Sequence, residues 1–278
     1  MKKKRKWTTF ILLTVFFVGL SVLLYPSLSN YWNSLTQSEA IADYEQMLEN
    51  LPKEDYTALL ENAEKYNESL SKLDYPLIRY KELDGYNELL NVVGTGMIGY
   101  VSIGTIGVEL PIYHGTNDSV LSVAVGHLEG SSLPVGGEST HCVISAHRGL
   151  PTARLFTDLD RLQLRDTFTV TVLDRVMTYE VDQIRIVQPN DVSELAIVDG
   201  EDYCTLLTCT PYGINTERLL VRGVRTDTVV HKTIHITTDG YQVDTLIVTP
   251  IVALPMLLTM MLTVLFKPIK KENAEEGV

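Results

Sequence analysis

The sequence predicts a mostly β domain, a closed or nearly closed barrel, with a helical arm before it and a membrane-spanning helix at each end. Three observations predict this. Dense apolar runs lie at both termini, heptad-like spacing of apolar residues fills the stretch before residue 72, and short alternating runs broken by glycines begin near Gly99. At 278 residues the chain has room for one catalytic-sized domain plus anchoring segments.

The first apolar run follows Lys2, Lys3, Lys4, Arg5 and Lys6 and extends from about Trp7 to Leu24, closed by Tyr25 and Pro26. That is close to the roughly 20 residues a helix needs to cross the hydrocarbon layer. Ser27 and Ser29 form a weak small-x-small cleavage match, but the apolar core is long for a signal peptide. The reading is an uncleaved anchor, with Trp7, Tyr25, Tyr31 and Trp32 as interface residues. The second run, Leu246 to Phe266, is uncharged, contains Pro250 and Pro255, and is followed by Lys267, Lys270 and Lys271. Prolines that would kink a soluble helix are tolerated in a membrane helix. Both cationic flanks belong inside, so the intervening segment lies outside the cell. The expected division is 1–28 basic tip and anchor, 29–96 helical arm, 97–230 barrel, 231–245 linker, 246–266 second span and 267–278 cytoplasmic tail.

Net charge is −12, and removing the five positive charges of the first six residues leaves about −17. The three lysines and three glutamates after Phe266 cancel. Such acidity excludes nucleic acid and anionic lipid as natural partners and suits lysine-bearing ones. The residues suggest no cofactor and no metal.

In the arm, Ile41, Tyr44 and Leu48 recur at helical spacing, Pro52 breaks the run, and a second helix starts over Tyr56 to Leu70. This is an amphipathic arm that packs on the main domain, or a spacer that lifts it off the membrane. Strands are expected at 100–103, 108–110, 142–145, 168–172, 178–181 and 219–221, with Gly115, Gly126, Gly130, Gly136, Gly137 and Gly149 as punctuation.

Three residues stand out as chemistry. Cys209 ends the apolar run Thr205-Leu206-Leu207-Thr208 and precedes a Pro-Tyr-Gly turn, so its thiol is at a strand end beside a loop. His147 ends another apolar run before Arg148-Gly149-Leu150-Pro151. Arg218 opens the following alternating run, where a strand–turn–strand return carries it back towards Cys209. At one rim of a barrel, a cysteine can attack as thiolate, a histidine can serve the leaving group, and an arginine can hold an oxyanion. Cys142 and Cys204 lie within apolar runs and read as small buried hydrophobes. Cys204 and Cys209 fall on opposite strand faces, which argues against a disulfide between them. His114, His127, His141, His231 and His235 read as structural, and Arg222 as a surface charge.

The run Thr205-Leu206-Leu207-Thr208-Cys209, with His147 upstream and Arg218 on the next strand, resembles the sortase family. The stretches 209–215, 147–151, 126–128 and 132–134 are similar to its class C, the pilin-polymerising branch. The resemblance covers about residues 97–225. It implies an eight-stranded sortase barrel and Cys209 as nucleophile on the Thr–Gly bond of an LPXTG-like sorting signal. It further implies a thioester that a pilin lysine resolves, His147 as proton donor and acceptor, Arg218 as oxyanion and substrate clamp, and Thr208 as oxyanion support. Pilin subunits and the membrane follow as partners, with a peptidoglycan precursor as a second acceptor, and the outer face of a Gram-positive plasma membrane as location. Two departures stand. Glu217 occupies a position where many class C sequences carry histidine, and the nearest match to the class C lid triplet is Asp74-Tyr75-Pro76, in altered order. A lid would set Asp74 against Arg218 and Tyr75 over Cys209. Alternatives at this point are a wall-anchoring sortase, a cysteine protease or hydrolase using water, and a non-catalytic membrane-tethered scaffold.

Overall fold

The computed structural model describes residues 2–92, 94–227, 255, 258 and 259. Two compact units partition the chain, one of residues 1–28 and 233–278 and one of 29–232. Of the first unit, the described part is mainly the start of α1 (Lys2–Asn50). Among the described residues, this is the one helix long and apolar enough to cross a membrane, with a mean hydropathy of 2.2. Pro26, expected to close the apolar run, lies inside the helix. The expected second span at 246–266 and His231 and His235 lie outside the described residues, apart from Pro255, Leu258 and Thr259, which are helical.

Within residues 29–232, α1 and α2 (Lys53–Ser71) form the expected arm, and Pro52 separates them as the residue before α2. The heptad-like spacing has its predicted consequence. Ile41 and Tyr44 are buried against Met97, with Leu48, Tyr100 and Tyr113 packed around them. The Tyr44 hydroxyl donates to Ile98 O (3.2 Å) and accepts from Leu173 N (2.8 Å), so burial costs it no unmet polar group. Burial pushes its pKa up to about 12. From α2, Leu60, Ala63, Tyr66 and Leu70 enter the main core. Each fully buried aliphatic of this kind contributes about 1.5–3 kcal/mol. Asn67 clamps both backbone polar groups of Leu133, donating to its carbonyl (2.9 Å) and accepting from its amide (2.7 Å). The arm is therefore packed on the domain and is no mere spacer.

The barrel has eight strands. They are β1 (Met97–Ile103), β2 (Val108–His114), β3 (Val125–His127), β4 (Thr140–Ser145), β5 (Thr167–Val172), β6 (Arg175–Val187), β7 (Asp202–Thr210) and β8 (Glu217–Thr226). They close in the order β1-β2-β3-β4-β7-β8-β6-β5, with β2–β3 and β4–β7 parallel and the other pairings antiparallel. Full closure leaves no exposed sheet edge. All the expected strands form, several of them longer than the apolar run that announced them. Strand β3 was not expected, because three residues are too few for a period-2 signal. Gly126, read as turn punctuation, lies inside it, where an added Cβ would come within 2.3 Å of Gly115 O. Two short helices, α3 (Pro76–Arg79) and α4 (Asp118–Leu121), lie in the connections.

Candidate active site

Alternation along β4, β7 and β8 splits their side chains between two faces. Cys142, Ile144, Cys204, Leu206, Leu219 and Val221 belong to the main core inside the barrel. Val143, Leu207 and Leu220 belong to a second apolar cluster on the outer face, with Leu195, Leu128, Val187 and Leu77. Cys209 is two residues beyond Leu207 and shares its face. The thiol is thus carried on the outer wall of the barrel near a strand end, rather than on the rim. A cleft of about 330 Å³ runs over this wall, lined by His147, Cys209, Arg218, Thr208 and the apolar floor of Leu207 and Leu220.

Cys209 is directly opposite Arg218 in the antiparallel β7–β8 register. Side chains at opposed positions share a face about 5 Å apart at Cβ, and Arg218 and Cys209 line the same cleft. The Thr210–Pro211 peptide in that turn is cis. Arg218 Nη1 donates only to main-chain carbonyls, Glu217 O (3.0 Å) and Asn215 O (3.4 Å). No carboxylate lies within 4 Å of it among the described residues, so it keeps donors for a substrate.

His147 arrives from the other side. In the parallel β4–β7 pairing Ser145 is level with Leu207, and Ala146 N donates to Leu207 O (3.1 Å). Two residues beyond Ser145, His147 lines the same cleft as Cys209. The Thr208 hydroxyl, fully buried, donates to Ala146 O (2.8 Å). A hydroxyl has one proton to give, and here it ties together the strand ends that bear the histidine and the cysteine. Thr208, expected as oxyanion support, therefore has its hydroxyl proton committed to the backbone.

The loop after His147 is fastened by residues to which sequence reasoning assigned no role. Phe156 N donates to His147 O (3.2 Å). Arg148, with a side chain 7% exposed, is ion-paired with Asp160, reaches Thr210 Oγ1 (3.3 Å), and stacks 5.9 Å from the Tyr212 ring centroid. Gly149 has φ +77°, and its missing Cβ leaves room for the Tyr212 ring, which would lie 3.0 Å away. Arg148 follows His147 directly, and a charged residue there was the one available signal.

The arm reaches the outer apolar cluster beside this cleft, but not through the expected residues. Leu77 of α3 packs into the outer apolar cluster, and α3 lies so close to Gly130 (φ +85°) that a Cβ there would be 2.8 Å from Leu77 Cα and 2.9 Å from Pro76 O. Asp74 is exposed, and no ion pair joins it to Arg218 among the described residues. Tyr75 is 76% exposed and in the left-handed region at φ 58°. Among the described residues the lid contacts expected of Asp74 and Tyr75 are not made, because the chain turns at Tyr75 and packs Leu77 into the outer cluster.

The other described histidines, His114, His127 and His141, are structural. His141 is buried between Ala196 O (2.8 Å) and Thr205 Oγ1 (2.8 Å), and burial lowers its pKa. His114 is likewise lowered by burial. His127 is held by the Tyr86 hydroxyl (2.8 Å) and Ser132 O (2.8 Å). Arg222 is paired with Asp182 (2.5 Å) and stacked 4.1 Å over Tyr203, rather than free on the surface. Among the described residues, no group of three His, Cys, Asp or Glu is placed to hold a metal ion.

A family model described as a sortase domain matches residues 101–226. Among curated proteins, the chain is 29% identical over 130 residues to sortase A of Streptococcus agalactiae and to sortase D of Bacillus subtilis. Each alignment covers 46% of this chain, but only 52% and 63% of those proteins' own lengths. Solved structures match more fully. Sortase C1 from Streptococcus agalactiae is 47% identical, with a TM-score of 0.63, over 68% of this chain and 98% of that one. Sortase C from Streptococcus pneumoniae, a structure presented for its catalysis and pilin substrate specificity, is 44% identical, with a TM-score of 0.61, over 68% and 96%. Sortase C from Clostridium perfringens is 43% identical, with a TM-score of 0.57, over 68% and 99%. A chain that shares this barrel and nearly half its residues with sortase C1 along almost the whole of that structure belongs to the sortase family, in its class C branch.

Proposed function

We propose that this protein is a membrane-anchored cysteine transpeptidase that joins pilin subunits on the outer face of a Gram-positive plasma membrane. The observation that carries the reading is the direct opposition of Cys209 and Arg218 across β7–β8, with His147, just beyond the end of β4, lining the same cleft.

In this reading the Cys209 thiolate attacks the Thr–Gly carbonyl of an LPXTG-like sorting signal. Arg218 donates to the developing oxyanion, and His147 protonates the departing glycine amine. The products of this half are a thioester at Cys209 and the released C-terminal fragment. A lysine amine of a second pilin then attacks the thioester. His147 accepts the amine's proton, an isopeptide bond forms, and the thiolate is regenerated. The acidic surface of the domain favours a lysine-bearing acceptor. The basic N-terminal tip and apolar α1 fit an anchor with the catalytic unit outside.

The test is intact mass of the full chain, in detergent, after incubation with an LPXTG-type peptide. The expected result is an adduct of the peptide's N-terminal acyl fragment that is absent in Cys209→Ala and is transferred to an added lysine peptide. Release to water alone would make the protein a hydrolase, and an unchanged biological function of Cys209→Ala would make it a scaffold.

A further inference from the structure

Two of the three cysteines have no part in that chemistry. Cys142 on β4 and Cys204 on β7 are directly opposite one another in the parallel pairing. Both point into the barrel, 3% and 0% exposed, within the same core cluster. Neighbouring strands lie about 4.8 Å apart, and disulfides bridge Cα separations of about 4.4–6.8 Å, so the backbone need not move to join them. Cys209 is on the outer face and cannot compete. Among the described residues no group of three His, Cys, Asp or Glu is placed to hold a metal ion there. The Cys142 thiol is the more acidic of the pair. Burial raises it, but contacts with Cys204 and His127 more than offset this and bring it below the ordinary value, while burial and the same contact push Cys204 up.

We propose that Cys142 and Cys204 are a disulfide site inside the barrel, closed by thiol–disulfide exchange to staple β4 to β7, the strands that present His147 and Cys209. The oxidant is a disulfide donor, RS–SR. One cysteine thiolate attacks it and expels the first RS⁻, and the second cysteine attacks the mixed disulfide and expels the second. Two electrons and two protons pass to the donor, which leaves as two RSH. Because both thiols are shut away in the folded barrel, exchange takes place while β4 and β7 are docking or transiently parted. The supply of oxidant in the cell rests on the extracellular placement proposed above, whereas the geometry of the bond does not.

The experiment folds the full chain in detergent under a glutathione disulfide buffer, then counts thiols by alkylation after denaturation and maps linked peptides by mass. Expected are one free thiol instead of three, a linked peptide joining Cys142 and Cys204, and a Tm higher than that of the reduced chain by on the order of 10 °C, as a loop of this length implies. Cys142→Ala should lose the linked peptide and show the same Tm in oxidising and reducing buffer. Cys209→Ala should take the count from one to zero and keep the linked peptide, which separates this outcome from any failure of the transpeptidase reading. Three free thiols in the folded, oxidised chain, or a linked peptide containing Cys209, would overturn the proposal.

Discussion

Replacing Thr208 with valine tests how the site is assembled. Valine keeps the branched shape and removes the Thr208 donor to Ala146 O, a bond made by a fully buried hydroxyl. Leaving the carbonyl without that partner costs about 1–3 kcal/mol. For a domain of this size that corresponds to a fall in Tm of roughly 2–4 °C per kcal/mol, hence about 2–12 °C. The bond also fixes Ala146, next to His147, against the strand that ends in Cys209. Slack of about 1 Å between reacting groups costs up to about a hundred-fold in rate. We therefore expect Thr208→Val to lose thermal stability and also to form the acyl adduct ten- to a hundred-fold more slowly. Thr208→Ser, which keeps the donor, should recover most of both. The assay pairs thermal unfolding with single-turnover adduct formation by mass. A slowed Thr208→Val with unchanged Tm would show that the hydroxyl serves the oxyanion instead, and an unaffected variant would refute the positioning argument outright.

The arm offers a second test. Leu77→Ser, which removes the apolar contact over the outer cluster, and Gly130→Ala, which has no room against Leu77 Cα, should each raise the alkylation rate of Cys209 several-fold, while Tyr75→Ala should not; equal rates in all three would show that the arm does not gate the thiol. pH gives a third. Burial depresses the folded-state pKa of His114 and His141, so the unfolded chain takes up protons first as pH falls below about 6.5. Stability present above that pH is lost on going towards pH 5, at up to about 1.4 kcal/mol per pH unit for each histidine. Denaturant titrations should show this slope, reduced in His141→Gln, and an identical slope in that variant would remove His141 as its source. A fourth concerns Arg148→Leu, which deletes the Asp160 pair and the Thr210 contact. It should slow adduct formation without abolishing it, whereas Arg218→Leu should abolish it; equal effects would erase the distinction between positioning and catalysis.

Local chemistry made much of this protein legible from its residues. Period-2 alternation marks most of the strands because one face of each must be apolar, and the 3.6-residue spacing of Ile41, Tyr44 and Leu48 marks the arm because that stripe has to be covered. The order His147, Cys209, Arg218 and the run ending in Thr208-Cys209 carried the family resemblance and the candidate site. What a linear pattern cannot hold is which strands become neighbours. Strand β3 is too short to show a period. The parallel β4–β7 pairing joins segments 62 residues apart, and that pairing brings the end of β4, just before His147, beside the strand that bears Cys209, commits the Thr208 hydroxyl to Ala146, and places Cys142 beside Cys204. The arm shows the same limit. Asp74 and Tyr75 resemble lid residues by type, but the left-handed turn at Tyr75 and the close seat of α3 on Gly130 pack Leu77 into the outer cluster instead. Residue types are set by what each face must touch and can be read in sequence. Register and contact across the barrel are set by closure of the whole sheet, which only the tertiary structure decides.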